Sequence, residues 1–395
     1  MSRKKNIAIF VILTVFALGL GVYFAWRKSR EILNPPPPTG ETGLPAVTFR
    51  STSTLGEGVG AISAPAAQVA ALSDQPVLGY WITRAPQTSA SRTLQAAPAS
   101  GDRILYINEK GHIYEVKDGN DEMIGAQDVE DIRGVKSSPD GRFVLVRSGA
   151  SIRLFNIEAK TWRDLSRGIT GAFSPDSKRL VYLRAKEGTV EIDLVLRDIA
   201  APRQTEQILI TAFFGDVDLG WSGGKIFFNP KPSASYDGEL WAYDTAKRTL
   251  GFFASGDGLM LAWSPNGKTG LRFRLASGIP ELHLVDRDGV VTANVGVATL
   301  PSKCSFAGDS LYCAIPIGYN SAQDPLLPDD YLKRAAYSTD SIYRLSTAEN
   351  IFDPVFLPSD TQFDAINLQL SGNRLLFMNR YDNKIYGLVI RQISN

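Results

Sequence analysis

The feature that most constrains the fold of this chain is a tight turn that returns about every 40 residues. Its context repeats: an apolar or aromatic residue, a small polar residue, turn formers, then a short β-rich run. It reads Ser138-Pro139-Asp140-Gly141 before Phe143–Val146, Phe173-Ser174-Pro175-Asp176 before Leu180–Leu183, and Trp263-Ser264-Pro265-Asn266-Gly267 before Leu271–Phe273. Variants stand at Ser100-Gly101-Asp102, Trp221-Ser222-Gly223-Gly224, Phe306-Ala307-Gly308-Asp309 and Leu370-Ser371-Gly372-Asn373. Proline presets φ for the first central turn position, and Asn, Asp and Gly tolerate the positive φ that follows.

The turns lie near 101, 140, 176, 223, 266, 308 and 372, and the last, longer interval carries an insertion. No long 3.6-residue periodicity interrupts them, so the chain reads as strands. A period near 40 with several strands per unit is the signature of propeller blades. A third strand follows each turn, at His112–Val116, Ser151–Asn156, Val190–Arg197, Glu239–Tyr243, Glu281–Val285, Ser341–Leu345 and Lys384–Ile390. The expected fold is therefore all-β: a seven-bladed β-propeller over 68–395, rather than one of six or eight blades. Only Arg391–Asn395 follow the last of these strands, too few for a fourth. Gln68–Leu72 is expected to supply it, closing the ring and leaving no open edge.

Before the propeller, Ile7–Trp26 is a run of 20 residues without a charge. At about 1.5 Å per residue it spans roughly 30 Å of hydrocarbon. Its length and its terminal aromatics Tyr23, Phe24 and Trp26 favour an uncleaved transmembrane anchor over a signal peptide. Residues 27–67 are a Pro/Ser/Gly-rich spacer that includes four consecutive prolines, Pro35–Pro38. Basic residues flank the apolar run on both sides and do not orient it. Cys304 and Cys313 bear on orientation, because they straddle the turn Ala307–Ser310 symmetrically. Residues so placed in a hairpin face each other within disulfide reach. The expectation is a disulfide in an oxidising compartment, against the alternative of two buried thiols. It puts residues 1–6 in the cytoplasm and the propeller outside it, as a single-pass plasma-membrane protein.

The φ-Ser-Pro-Asp-Gly turns, where φ is an apolar residue, resemble those of WD40-like and TolB-like propeller repeats over Gln68–Asn395. The Trp-Asp dipeptide itself is absent. Arg103–Lys117, the stretch KCSFAGDSLYCAIP from Lys303 and the PDDY from Pro328 are similar to membrane-anchored bacterial propeller proteins. That resemblance implies fold and anchoring and carries no catalytic residue.

The composition offers little for catalysis. With 42 Lys+Arg against 41 Asp+Glu the net charge is +1, which argues against a nucleic-acid partner. Two histidines and two cysteines speak against a zinc cluster, and no metal or cofactor is expected. Gly220–Gly224 matches G-x-S-x-G, but a strand follows where a nucleophile elbow needs a helix. His112 and His283 lie in strands of different blades. Trp221, Trp263, Phe173 and Phe306 recur before the turns as packing residues.

The insertions carry the functional expectation. Ile317–Thr339 joins the second and third strands of the sixth unit and contains Tyr319, Asp324, Asp329, Asp330, Tyr331, Lys333, Arg334 and Tyr337. Pro230–Asp237, with Lys231 and Tyr236, stands at the same place in the fourth unit. Tyr and Arg are the residues of interface hot spots. The first expectation is a binding or scaffold module engaging a protein, peptide or glycan through these loops. The insertion could instead only cap the channel or pack on a neighbouring blade. A second functional class is a hydrolase or lyase of cell-surface polymers, with two of Asp324, Asp329 and Asp330 as acid and base.

Overall fold

The protein is described by a computed structural model over residues 50–51, 69–83, 102–117, 120–149, 151–165, 167–199, 205–317, 326–346, 351–358 and 361–390. The segments 1–6 and 7–26, most of the 27–67 spacer, Tyr319 and Asp324 lie outside the described residues. No helix among the described residues is long and apolar enough to cross a membrane.

Two short strands, Arg50–Ser51 (β1) and Val69–Ala71 (β2), precede a succession of antiparallel meanders. The first is Gly79–Thr83 (β3), Arg103–Ile107 (β4), Ile113–Lys117 (β5) and Asn120–Gly125 (β6). The second is Ile132–Ser137 (β7), Phe143–Ser148 (β8), Ser151–Asn156 (β9) and Thr161–Leu165 (β10). The third is Gly168–Phe173 (β11), Arg179–Ala185 (β12), Ile192–Asp198 (β13) and Glu206–Ala212 (β14).

A seven-stranded sheet follows: Val217–Ser222 (β15), Lys225–Pro230 (β16), Asp237–Asp244 (β17), Thr249–Trp263 (β18), Thr269–Ala276 (β19), Ile279–Asp286 (β20) and Val291–Asn294 (β21). Its 15-residue β18 pairs with β17 through Thr249–Asp257 and with β19 through Asp257–Trp263. The next meander is Cys304–Ala307 (β22), Ser310–Pro316 (β23), Asp340–Ser346 (β24) and Ile351–Phe356 (β25), with β1 parallel to β25 at its edge. The last is Ala365–Ser371 (β26), Arg374–Asn379 (β27) and Lys384–Val389 (β28). β2 supplies its fourth strand, pairing Val69–Ala71 with Tyr386–Leu388 as the sequence led one to expect.

The strands are apolar on both faces because each sheet is covered on both sides. Side chains alternate along a strand, so Val144 and Val146 pack with Trp81, Leu105 and Ile107 of the preceding sheet. Leu145 points the other way, onto Phe173, Leu180 and Tyr182 of the following one. The same layering joins later sheets through Leu194 with Phe228, Phe273 with Leu311, and Ala314 with Phe377. Leu376, Met378 and Ile385 of the last sheet pack with Tyr80, Ile82 and Tyr106 of the first, so the array closes on itself.

The recurring turns explain their own residues. Ser138 Oγ accepts the Phe143 N–H at 3.0 Å and donates to Asp140 Oδ1 at 2.6 Å, and that oxygen accepts the Arg142 N–H at 3.1 Å. Ser264 and Asn266 repeat the pattern toward Thr269 and Lys268. Gly141 has φ +73°, and a Cβ there would stand 2.3 Å from the Ile82 carbonyl oxygen, so both backbone and space demand glycine.

Meander topology fixes what lies at each end. Connections between second and third strands, and from each sheet to the next, emerge at one face. The first-to-second and third-to-fourth turns emerge at the other.

Candidate functional site

The insertion between β23 and β24 forms a short helix, Asp329–Leu332 (α1), on the face of the second-to-third loops. Four residues cannot hold a helix alone, so its position comes from tertiary bonds. Asp329 Oδ2 accepts the Ala234 N–H at 2.6 Å and Oδ1 accepts the Ser233 hydroxyl at 3.2 Å. The Ala234 bond first, with Lys333 and Ser233, holds the Asp329 carboxyl below its usual range. The two loops singled out in the sequence are thus tied to each other. Asp330 Oδ2 accepts the Leu326 N–H at 2.9 Å.

Tyr331 points inward and is 4% exposed. It enters an ion network that the sequence reading missed, made of Lys303, Asp340, Asp364 and Arg380. Lys303 Nζ lies 2.7 Å from Asp340 Oδ2 and 2.7 Å from Asp364 Oδ1, and Arg380 Nη1 lies 2.8 Å from Asp364 Oδ2. Both carboxylate side chains are 0% exposed, and two cations balance two anions. Tyr331 donates to Asp364 at 2.8 Å, and the Arg380 guanidinium sits 3.7 Å over the Tyr331 ring. Arg380 Nη2 also donates to the Tyr331 carbonyl at 2.7 Å. Burial raises the Asp340 carboxyl above its usual value, with Lys303 opposing it. Burial works the same way on Asp364, but Lys303, Tyr331 and Arg380 outweigh it and hold that carboxyl low. Burial, then the Asp364 charge, pushes the Tyr331 phenol far above its ordinary value.

The remaining predicted residues lie at the surface over this network. Lys333 is exposed, Arg334 Nη2 donates to Asn383 Oδ1 at 3.2 Å, and Tyr337 stacks on Tyr381 with centroids 5.4 Å apart. Tyr236 is also exposed and bonds the Lys231 carbonyl at 2.6 Å. Exposed large apolar side chains stand on this same face: Val190, Phe213, Leu326, Leu332 and Leu357 in its loops and Ile279 at the start of β20. Val290 is exposed on the opposite face.

Inside the ring of loops, the first strands of successive sheets border a cleft of about 420 Å³. Lys136 of β7 reaches past β11 to β15, donating to the Gly171 carbonyl at 3.1 Å, Asp218 Oδ1 at 2.7 Å and the Leu219 carbonyl at 2.7 Å. Burial holds its ammonium below the ordinary value, with Asp218 opposing. Arg133, Arg147 and Lys231 line the rim.

Cys304 and Cys313 face each other across β22 and β23 and are disulfide-bonded, with Cα atoms 4.1 Å apart.

A closed succession of antiparallel four-stranded units around such a cleft is a β-propeller. No family model and no curated protein matches the sequence. Among solved structures, the chain is similar to an oligogalacturonate lyase in complex with manganese, at 10% identity and TM-score 0.49, covering 74% of this chain and 83% of that one. It is similar to TolB from Acinetobacter baumannii at 15% identity and TM-score 0.36, covering 75% and 78%. It is also similar to the β-propeller domain of Cps50 (Swd1) from Myceliophteria thermophila at 10% identity and TM-score 0.49, covering 82% and 100%. These likenesses are of fold, and no residue role is taken from them.

Proposed function

We propose that this chain is a seven-bladed propeller tethered to the plasma membrane by 7–26, whose second-to-third loop face binds a protein, peptide or glycan outside the cytoplasm. Splitting the long β18 between two blades supports the count of seven, with β2 completing the last. The uncharged apolar run supports the tether, and the Cys304–Cys313 disulfide supports an oxidising side. The observation that carries the binding function is the gathering of exposed apolar and aromatic side chains on one face, over an insertion held by a buried network. The second reading is a hydrolase or lyase of cell-surface polymers, whose acid and base would come from Asp324, Asp329 and Asp330, and Asp324 lies outside the described residues. Asp329 and Asp330 hold backbone amides, and Asp340 and Asp364 are buried against cations.

The test substitutes Leu326→Ser, Leu332→Ser and Tyr337→Ser together in the full chain, with Val290→Ser as the opposite-face control. Crosslinking in the native cell should lose its captured partners in the triple variant and keep them in the control. Equal capture by wild type and triple variant refutes the assignment of this face.

A further inference from the structure

On the opposite face, between β15–β18 and β18–β21, lies a second cleft of about 530 Å³. Its base is set by two first-to-second turns pressed together. A Cβ at Gly267 would stand 2.8 Å from both Gly223 N and Ser222 Oγ. Phe227 and Trp263 form an aromatic floor with ring centroids 5.0 Å apart.

The titratable residues lining the cleft are Lys225, Lys247, Lys268 and Arg287 against Asp244 and Asp288. Four cations face two carboxylates, leaving two positive charges in surplus. Lys225 spans the cleft, donating to Asp288 Oδ1 at 2.9 Å and the Arg287 carbonyl at 3.2 Å. Both acids stay ionised near neutrality: the Lys225 bond lowers Asp288, and the Lys247 and Ala246 amides lower Asp244. The surplus is therefore fixed over the neutral range.

We infer that this cleft is a binding site for a phosphate monoester, whose dianion matches the surplus of two and whose oxygens accept from the cationic rim. A phosphomonoester carries about −1.5 to −2 charge at neutral pH, unlike a sulfate monoester or a single carboxylate. The volume, within the roughly 300–1,000 Å³ of ligand pockets, admits the ester's organic part over the aromatic floor. The same chemistry occurs on a free metabolite-sized ester and on a lipid headgroup. The site is on the face away from the apolar loops and does not depend on their function.

The test uses the full chain in zwitterionic detergent. Glycerol 3-phosphate is titrated by calorimetry, with methyl sulfate and succinate as comparison anions. Flotation with phosphatidylcholine vesicles, with and without phosphatidic acid, forms the second arm. The variants are Lys268→Gln with Arg287→Gln, both on surface turns, and Trp263→Phe, which narrows the aromatic floor. Near-ultraviolet circular dichroism checks their folding. Wild type should bind a phosphomonoester in at least one arm, about tenfold more tightly than the Lys268/Arg287 variant and severalfold more tightly than the Trp263 variant. Binding in the first arm alone identifies a free ester, and in the second alone a headgroup. Binding in neither arm overturns the site, as does equal binding by the Lys268/Arg287 variant or equal affinity for methyl sulfate or succinate.

Discussion

Replacing Lys303 with Met gives the sharpest test of how the loop face is held. Methionine keeps most of the stem and removes the charge. Four polar partners lose their donor at once: Asp340 and Asp364 at 2.7 Å each, Ser338 Oγ at 3.0 Å and Tyr331 Oη at 3.1 Å. Two fully buried carboxylates are then left with Arg380 as their one cation among the described residues. Breaking a buried ion pair by removing one partner costs about 3–5 kcal/mol, and that is the expected loss near neutral pH. The pH dependence has a definite sign. Asp364, held low, gives stability that is present above the usual carboxylate range and is lost as pH falls through its depressed value. Asp340, held high, gives stability that is lost as pH rises through its raised value. Without Lys303 nothing opposes burial as strongly at Asp340, so the variant should recover toward wild type as pH falls, measured at about pH 8 and about pH 5. Adding Asp340→Asn removes the surplus charge and should restore at least about 1 kcal/mol through coupling. Guanidinium unfolding followed by tryptophan fluorescence measures all of these. A loss below about 1 kcal/mol at neutral pH, or an equal loss at both pH values, would refute the network as the holder of the insertion.

Two further changes test other parts of the fold. The Cys304→Ala, Cys313→Ala double variant should lose about 2–3 kcal/mol, the loop-closure value for a separation of 9. Thiol titration of the denatured, unreduced chain should find no free thiol; two would remove the support for an oxidising compartment. Gly141→Ala, at φ +73° and against the Ile82 carbonyl, should cost about 1–3 kcal/mol by chemical denaturation. An unchanged midpoint there would mean that the first two sheets do not abut as described.

The repeat was legible because its chemistry is local. In the turns at Ser138, Ser174 and Ser264 the serine hydroxyl and the Asp carboxylate or Asn amide close the turn within five residues, so the pattern is written contiguously. The ring closure was legible for the opposite reason: a missing fourth strand at one end and a spare strand at the other leave one solution. The cysteine register followed from symmetry about a turn. The continuity of β18 across two units was not legible, because Ser255-Gly256-Asp257-Gly258 has the composition of a turn while the backbone continues as strand through it. The ion network was not legible either. Lys303, Asp340, Asp364 and Arg380 each sit beside a strand end, where charged residues are ordinarily solvated. Their burial is decided by partners far away in sequence, such as Asp364 with Lys303, 61 residues apart. Tyr331 belongs with them: its neighbours in the chain read as an interface motif, and its phenol is a buried ligand of Asp364.

This misplacement changes what the insertion can do. A 23-residue connection, Ile317–Thr339, with one turn of helix has no intrinsic reason to hold a shape, and a partner would have to order it on binding. Here Asp329 fixes it to the loop of the fourth unit, and Tyr331 with Arg380 fixes it to the last sheet. A buried ionic cluster adds little net stability over an apolar one, but it specifies one arrangement where an apolar cluster permits several. If this face binds as proposed, the ordering of 326–339 is completed during folding, which removes a cost of about 0.5–1.5 kcal/mol for each side chain otherwise immobilised on binding. If that is the network's role, Lys303→Met must weaken partner capture even under conditions where the variant remains folded. A folded Lys303→Met protein with wild-type capture would separate the network from binding and leave it a stabiliser of the β22–β25 and β26–β28 sheets alone.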